Sequence, residues 1–104
     1  LLVDLPLELP PAAPDGFTHG YHLFPIRVSD RRRVFDGLRA AGIGVQVHYV
    51  PVHHHSVSAD LGLQPGDLTI CDEAYEKLIS IPMYPAMTDS DQDRVVATLA
   101  HLLG

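Results

Sequence analysis

The sequence predicts a small α+β domain, in which a short sheet of two or three strands carries helices packed on one face. The chain has 104 residues, which is enough for one domain and hardly for two. Apolar residues make up 46% of the chain and charged residues 19%, which is the composition of a folded protein. Short apolar, β-rich segments alternate with segments of helical periodicity, and this alternation predicts the two layers.

The chain is expected to begin with a connector over residues 1–16, followed by the domain itself over residues 17–104. The chain opens without an initiator Met on the apolar stretch "LLVDL", and we therefore interpret the sequence as a piece of a longer protein. Pro10 and Pro11 favour polyproline II and interrupt helices, so the stretch around them is expected to be a linker.

The elements of the domain follow from their periodicity and their flanking residues. The expected elements are a strand over residues 21–28, a helix over 29–42, a strand over 43–50, a short helix over 54–62, a helix over 68–80, an extended segment over 81–85 and a helix over 88–103. Pro25 favours an edge position for the first strand. Ser29 or Asp30 is the expected N-cap of the first long helix and Gly42 its expected stop. Thr88 and Asp91 form the expected capping box of the last helix.

Charge and cysteine content exclude several classes of function. The net charge is −6, and the only basic cluster is Arg31–Arg33, so a nucleic-acid surface is not expected. No apolar run approaches the roughly 18 to 20 residues of a membrane span. The single cysteine, Cys71, excludes an internal disulfide and is typical of a reducing compartment, so a cytoplasmic location is expected.

Four of the seven histidines lie within "VQVHYVPVHHHS", residues 45–56. A zinc site needs three or four ligands placed tetrahedrally. His53, His54 and His55 are consecutive and therefore point in different directions, and no second group of Cys or His supplies further ligands. No metal site is expected, and a polar loop with histidines free to titrate is the simplest alternative.

The sequence contains no self-contained catalytic site. No nucleophile elbow surrounds Ser56 or Ser58, and there is no phosphate-binding loop. Cys71 falls on the apolar stripe of the predicted helix 68–80, where a buried and inert thiol is expected. Lys77, the only lysine, falls on the outer side of that helix and is expected to be solvated rather than to form a Schiff base. We therefore assign no catalytic and no cofactor-binding residue to this chain.

Three segments carry a family resemblance: "GYHLFPIRV", "LRAAGIGVQVHYVPVH" and "SIPMYPAMTDSDQDRV". In this order and spacing they resemble the carboxy-terminal small domain of the DegT/DnrJ/EryC1/StrS aminotransferases. These are pyridoxal-phosphate enzymes that aminate keto groups on nucleotide-linked sugars. The resemblance extends from about Leu5 to the last residue. The wording of "FPIRV" and "VQVHYVPVH" is most similar to the branch that makes 4-amino sugars on UDP-linked N-acetylhexosamines, of the pseudaminic-acid type.

The resemblance implies the small domain of a fold-type I enzyme, preceded by a large N-terminal domain that is absent from this chain. A long helix leads into the small domain in the family, and "LLVDL" would be the tail of that helix. That domain would carry pyridoxal phosphate and the Schiff-base lysine, and the small domain would help close it over the substrate. The implied partners are a nucleotide sugar, an amino-acid amino donor, the large domain and a second copy in a homodimer. The isolated chain is then expected to be inactive and to bind no pyridoxal phosphate.

The resemblance also implies site residues. In the family, the segment G-x-x-x-H-[FY]-x-x-x-H reaches the substrate cleft, and here it reads Gly44, His48, Tyr49 and His53. His48, Tyr49 and His53 are therefore expected to bind the substrate, with His48 orienting it rather than acting as the main base. The two histidines that follow lie where the sequence departs from the family pattern, and no contact is carried over to them.

A second function class stays open at this point. The alternative is a stand-alone α+β binding or regulatory module that merely shares the fold, because a fold alone does not determine a function. A cofactor domain encoded upstream would discriminate between the two.

Overall fold

A computed structural model describes all of residues 1–104. Its elements in chain order are β1 (Phe24–Arg27), α1 (Arg31–Ala40), a 3-10 turn (Val52–His54), α2 (Ser56–Ala59), α3 (Thr69–Lys77), β2 (Leu78–Ile81) and α4 (Asp89–Leu103). Two strands with helices packed against them confirm the predicted α+β class.

The sheet consists of β1 and β2, which pair antiparallel with Ile26 opposite Ile79. Two single-residue bridges extend it. Glu8 pairs with Arg27 beside β1, so the predicted connector supplies part of the sheet edge. Residues 1–16 otherwise form turns and bends and contain no helix.

Pro25 lies in β1 without interrupting the sheet. The amide of Arg27 donates to the carbonyl of Glu8, on the side away from β2. Because backbone groups alternate along a strand, the nitrogen of Pro25 also faces away from β2. The proline ring therefore removes no hydrogen bond from the pairing of the two strands, because it lies on the side of β1 that only the Glu8 bridge covers.

The second predicted strand, over residues 43–50, is wrong. Only Gln46 pairs, through a bridge to Ser80. Ile43 and Val45 are nonetheless buried, at 5% and 0% exposure, so their alternation with polar residues reflects burial against the core. Residues 47–50, which precede Pro51, pair with no strand, so the pairing does not extend beyond this single bridge.

The predicted helix 68–80 ends early, at Lys77. Leu78 is extended, with ψ 132°, and the next residues pair with β1. Cys71 is exposed, which corrects the expectation of a buried thiol. The reason is that α3 lies at the periphery and contains no fully buried residue.

Both long helices are bounded by the expected local signals. The Asp30 side chain accepts the N–H of Arg33 at 3.2 Å at the start of α1. The helix stops before Gly42, whose φ of +74° favours glycine. At α4, Thr88 Oγ1 accepts the N–H of Asp91 at 3.2 Å, and the Asp91 carboxylate accepts the N–H of Thr88 at 2.9 Å. The capping box is therefore confirmed.

One core joins the sheet to α1 and α4. Its buried members are Ile26, Val28, Val34, Leu38, Ile43, Val45, Ile79, Val95 and Leu99. Gly37 lets the two helices approach closely, since a Cβ there would lie 2.5 Å from Cδ2 of Leu102. Core burial on this scale is what stabilises so small a domain.

An apolar groove of about 460 Å³ opens between the first residues, the end of β2 and α4. Eleven of its thirteen lining residues are hydrophobic, among them Leu1, Met83 and Val96.

None of the helices is both long enough and apolar enough to span a bilayer.

Candidate functional site

The histidine loop, residues 47–55, leaves the sheet at the bridge between Gln46 and Ser80. The Gln46 N–H donates to the Ser80 carbonyl at 3.2 Å, and the Ser80 N–H donates back at 2.8 Å. This bridge places the start of the loop at the open edge of β2. The site residues expected from the sequence therefore begin where the sheet ends.

His48 and Tyr49 lie side by side in this loop. Their rings meet edge to face with centroids 4.8 Å apart, and the peptide bond between them is cis. The Tyr49 side chain is largely exposed, at 68%. His48 is half-buried, and its Nδ1 is fully buried without a hydrogen-bond partner in the chain. A buried ring nitrogen without a partner is uncommon, because leaving it unsatisfied costs free energy.

His53 lies elsewhere in the loop, and the structure does not bring it onto His48. Its side chain is 3% exposed, and its Nε2 lies 2.7 Å from Oδ1 of Asp72 on α3. His54 Nε2 bonds to the same oxygen, while His55 is exposed and makes no side-chain hydrogen bond. Of the three residues expected to bind substrate, Tyr49 is exposed, His48 beside it is half-buried, and His53 points into the protein.

Asp72 is the residue that the sequence reasoning missed. Its Oδ1 accepts from both imidazoles and its Oδ2 accepts the N–H of Gly66 at 2.8 Å. Asp72 lies 19 residues after His53 and 18 after His54, and no local pattern links such positions. Only its place on the first turn of a helix was visible beforehand.

The electrostatics of this cluster favour an ionised carboxylate. Partial burial opposes the charge of Asp72, but the hydrogen bonds from His54, from the Gly66 amide and from His53 outweigh it, so the pKa of this carboxyl is lowered. An ionised carboxylate can only accept, so each imidazole donates from its Nε2.

The side chains of His53, His54 and Asp72 are the one group in the structure whose ligand atoms lie close enough together to hold a metal ion. Two ligands on a tetrahedral zinc ion at ~2.1 Å lie about 3.4 Å apart, whereas His53 Nε2 and Asp72 Oδ1 are 2.7 Å apart, the separation of a hydrogen bond. Neither imidazole uses its Nδ1 in a hydrogen bond within the chain, although metal-bound histidines are usually oriented that way. The geometry is that of a hydrogen-bonded cluster.

The cluster is tied to the rest of the fold through Tyr75. The Tyr75 ring meets the ring of His54 edge to face at 5.6 Å. The Arg31 guanidinium lies 4.7 Å from the centre of the Tyr75 ring and donates to the Tyr75 carbonyl at 2.6 Å. The contacts of the histidine loop therefore continue through α3 to α1.

Comparison with known proteins identifies the family. The model of the DegT/DnrJ/EryC1/StrS aminotransferase family matches residues 1–100. The chain belongs to the DegT/DnrJ/EryC1/StrS aminotransferase family. The resemblance seen in the three sequence segments is thereby confirmed.

Solved structures of other proteins share this fold. DesV of S. venezuelae, solved in complex with a ketimine intermediate, is 30% identical with a TM-score of 0.88 over 96% of this chain and 27% of that one. The sugar aminotransferase CalS13 of Micromonospora echinospora is 26% identical with a TM-score of 0.78 over 95% of this chain and 26% of that one. Spr1654 of Streptococcus pneumoniae shares the fold in two solved forms. Its PMP-form has a TM-score of 0.88 at 20% identity, over 97% of this chain and 27% of that one. Its PLP-form has a TM-score of 0.83 at 21% identity, over 92% of this chain and 26% of that one.

The chain spans about a quarter of the length of its curated relatives, 22% and 26% of two that are 34% and 33% identical to it. Members of the family use pyridoxal phosphate, as the PLP- and PMP-forms of a structural neighbour illustrate. The family and the fold are thus established, and the chain corresponds to about a quarter of the length of a family member.

Proposed function

We propose that this chain is the C-terminal small domain of a sugar aminotransferase, which transfers an amino group from an amino acid to a keto group of a nucleotide-linked sugar. The observation that carries the proposal is the family match over residues 1–100. The agreement with DesV, at 30% identity and a TM-score of 0.88, supports it. In this proposal residues 17–104 form the small domain, and residues 1–16 connect it to a preceding large domain.

The cofactor site belongs to that large domain in this proposal. Pyridoxal phosphate supplies the electron sink for amino transfer when it is bound in such enzymes. The residues of this chain do not fit it: Lys77, the only lysine, lies at the end of α3, and the chain has no phosphate-binding loop. The isolated chain is accordingly expected to be inactive.

Substrate orientation is the part that this chain would contribute. Tyr49 is exposed beside the half-buried His48, and neither side chain makes a hydrogen bond within the chain. A nucleotide sugar carries a diphosphate, and imidazole and phenol groups can donate hydrogen bonds to it. We assign direct contacts to His48 and Tyr49. His53, buried on Asp72, would support the same site through the shape of the loop.

The apolar groove supports a contact with the proposed large domain. Its lining includes Leu1, Val3 and Met83, which are 76%, 76% and 38% exposed. Exposed apolar side chains that line one groove are compatible with a contact to another protein surface. A homodimer and a cytoplasmic location complete the proposal, the latter in keeping with the free, exposed thiol of Cys71.

The narrower substrate class proposed is a UDP-linked 4-keto N-acetylhexosamine, as in the pseudaminic-acid type. Its support is the wording "FPIRV" and "VQVHYVPVH" alone. Assaying UDP- and TDP-linked keto sugars side by side tests this class separately from the general reaction.

The general proposal is tested on the complete protein encoded around this segment. We expect the gene to encode an upstream domain with a lysine that forms a Schiff base. The purified protein should aminate a nucleotide keto sugar when supplied with pyridoxal phosphate and glutamate or glutamine. A gene that starts immediately before Leu1 would favour the stand-alone binding module instead.

A further inference from the structure

We propose that Asp72 is a positioning residue for the substrate-binding segment of the histidine loop. The inference rests on the proposed function for its catalytic consequence, although the positioning itself can be measured without it. It starts from the observation that all side-chain hydrogen bonds from the loop histidines end on one oxygen of Asp72.

His48 and Tyr49 have no side-chain hydrogen bonds that hold them to the fold. Their position therefore depends on where the backbone is fixed on either side. Upstream, the paired hydrogen bonds between Gln46 and Ser80 fix it to β2. Downstream, the first fixed side chain is that of His53, on Asp72.

The segment between Tyr49 and His53 is rigid, so the hydrogen bond between His53 and Asp72 also limits where Tyr49 can lie. Pro51 is buried and its ring restricts φ, here −56°. The N–H of His54 donates to the Pro51 carbonyl at 2.9 Å, which closes the 3-10 turn. Ser58 Oγ also donates to the Val52 carbonyl at 2.7 Å, so the turn is held from α2 as well.

The anchor is shielded from water. The side chains of His53, His54 and Asp72 are 3%, 20% and 17% exposed. Hydrogen bonds to an ionised acceptor in such surroundings are stronger than neutral ones. The other oxygen of Asp72 holds the amide of Gly66, so one carboxylate joins the loop, the turn before α3 and α3 itself.

The test uses Asp72→Asn in the complete protein, with Asp72→Glu as the conservative variant. Glu73→Ala is the matched control, since Glu73 is the next residue of α3, is exposed and makes no side-chain hydrogen bond or ion pair. Hydrogen exchange without substrate comes first. In Asp72→Asn, the amides of residues 47–55 should exchange faster than in the wild type, and the amides of α4 should exchange at the wild-type rate. In Glu73→Ala, all amides should exchange at the wild-type rate.

The two half-reactions come second. In Asp72→Asn the specificity constant for the nucleotide sugar should fall roughly 10- to 100-fold, the effect of misplacing a binding group by about 1 Å. The half-reaction with the amino donor should not change, and Asp72→Glu should recover part of the loss. A general loss of structure would lower both half-reactions together.

Unchanged exchange over residues 47–55 in Asp72→Asn would overturn the inference, as would an equal loss in both half-reactions. If the wild-type protein aminates no nucleotide sugar but the loop exchange still rises, the proposed function fails and the positioning role stands.

Discussion

Replacing His48 by alanine is the sharpest test of the proposed substrate site. The His48 side chain makes no hydrogen bond within the chain and is only half-buried, so the accessible edge of its ring is free to bond to the substrate. A hydrogen bond to a charged group such as a diphosphate contributes about 1.5 to 3 kcal/mol. His48→Ala should therefore lower the specificity constant for the nucleotide sugar roughly 10- to 140-fold. The half-reaction with the smaller amino donor should hardly change, because that substrate carries no diphosphate.

Stability measurements separate this effect from damage to the fold. An unsatisfied buried nitrogen costs the free protein about 1 to 3 kcal/mol, so removing the His48 ring should not reduce the free energy of unfolding by more than the lost packing. His55→Ala is the control, since His55 is exposed and makes no side-chain hydrogen bond. A sugar half-reaction of wild-type rate and affinity in His48→Ala would refute the assignment.

Four further outcomes are expected. Leu99→Ala, at a site with 0% exposure, should lower the free energy of unfolding by about 2 to 5 kcal/mol in a urea titration, and a loss below 1 kcal/mol would contradict the described core. The Thr88 hydroxyl and amide lower the pKa of Asp91, so its contribution to stability is present above the ordinary value of 3.8 and is lost as pH falls below it. Acid titration should therefore destabilise Asp91→Asn less than the wild type, and parallel curves would count against the capping box. The histidine loop should retain no stoichiometric zinc after chelation and dialysis, and one tightly held metal per chain by elemental analysis would reverse our interpretation of the hydrogen-bonded cluster. The isolated chain should show no absorbance band of an internal aldimine with pyridoxal phosphate, and a band that disappears in Lys77→Ala would show that the cofactor site lies here.

The boundaries of α1 and α4 were predictable because their signals are local. The Asp30 cap, the stop at Gly42 and the Thr88–Asp91 box all act within four residues of a helix end. Such interactions form with little dependence on distant partners, and a pattern in the sequence therefore reports them directly.

β2 was not predictable in the same way. Residues 78–80 continue the apolar spacing of α3, and short apolar segments are compatible with either a helix or a strand. What decides between them is pairing with β1, about 50 residues earlier in the chain, where Ile79 lies opposite Ile26. The prediction of a strand over residues 43–50 was wrong because burial alone does not make a strand. Ile43 and Val45 are buried in the core, but only Gln46 pairs with a strand.

The sequence by itself determined the fold class, the family and the segment that carries His48, Tyr49 and His53, because these depend on composition and on short ordered motifs. Only the tertiary structure decided where each histidine side chain of that segment lies and what it bonds to. It turned His53 inward onto Asp72 and left Tyr49 exposed. No local pattern encodes that choice, because a hydrogen bond between residues 19 positions apart exists only once α3 has packed beside the loop.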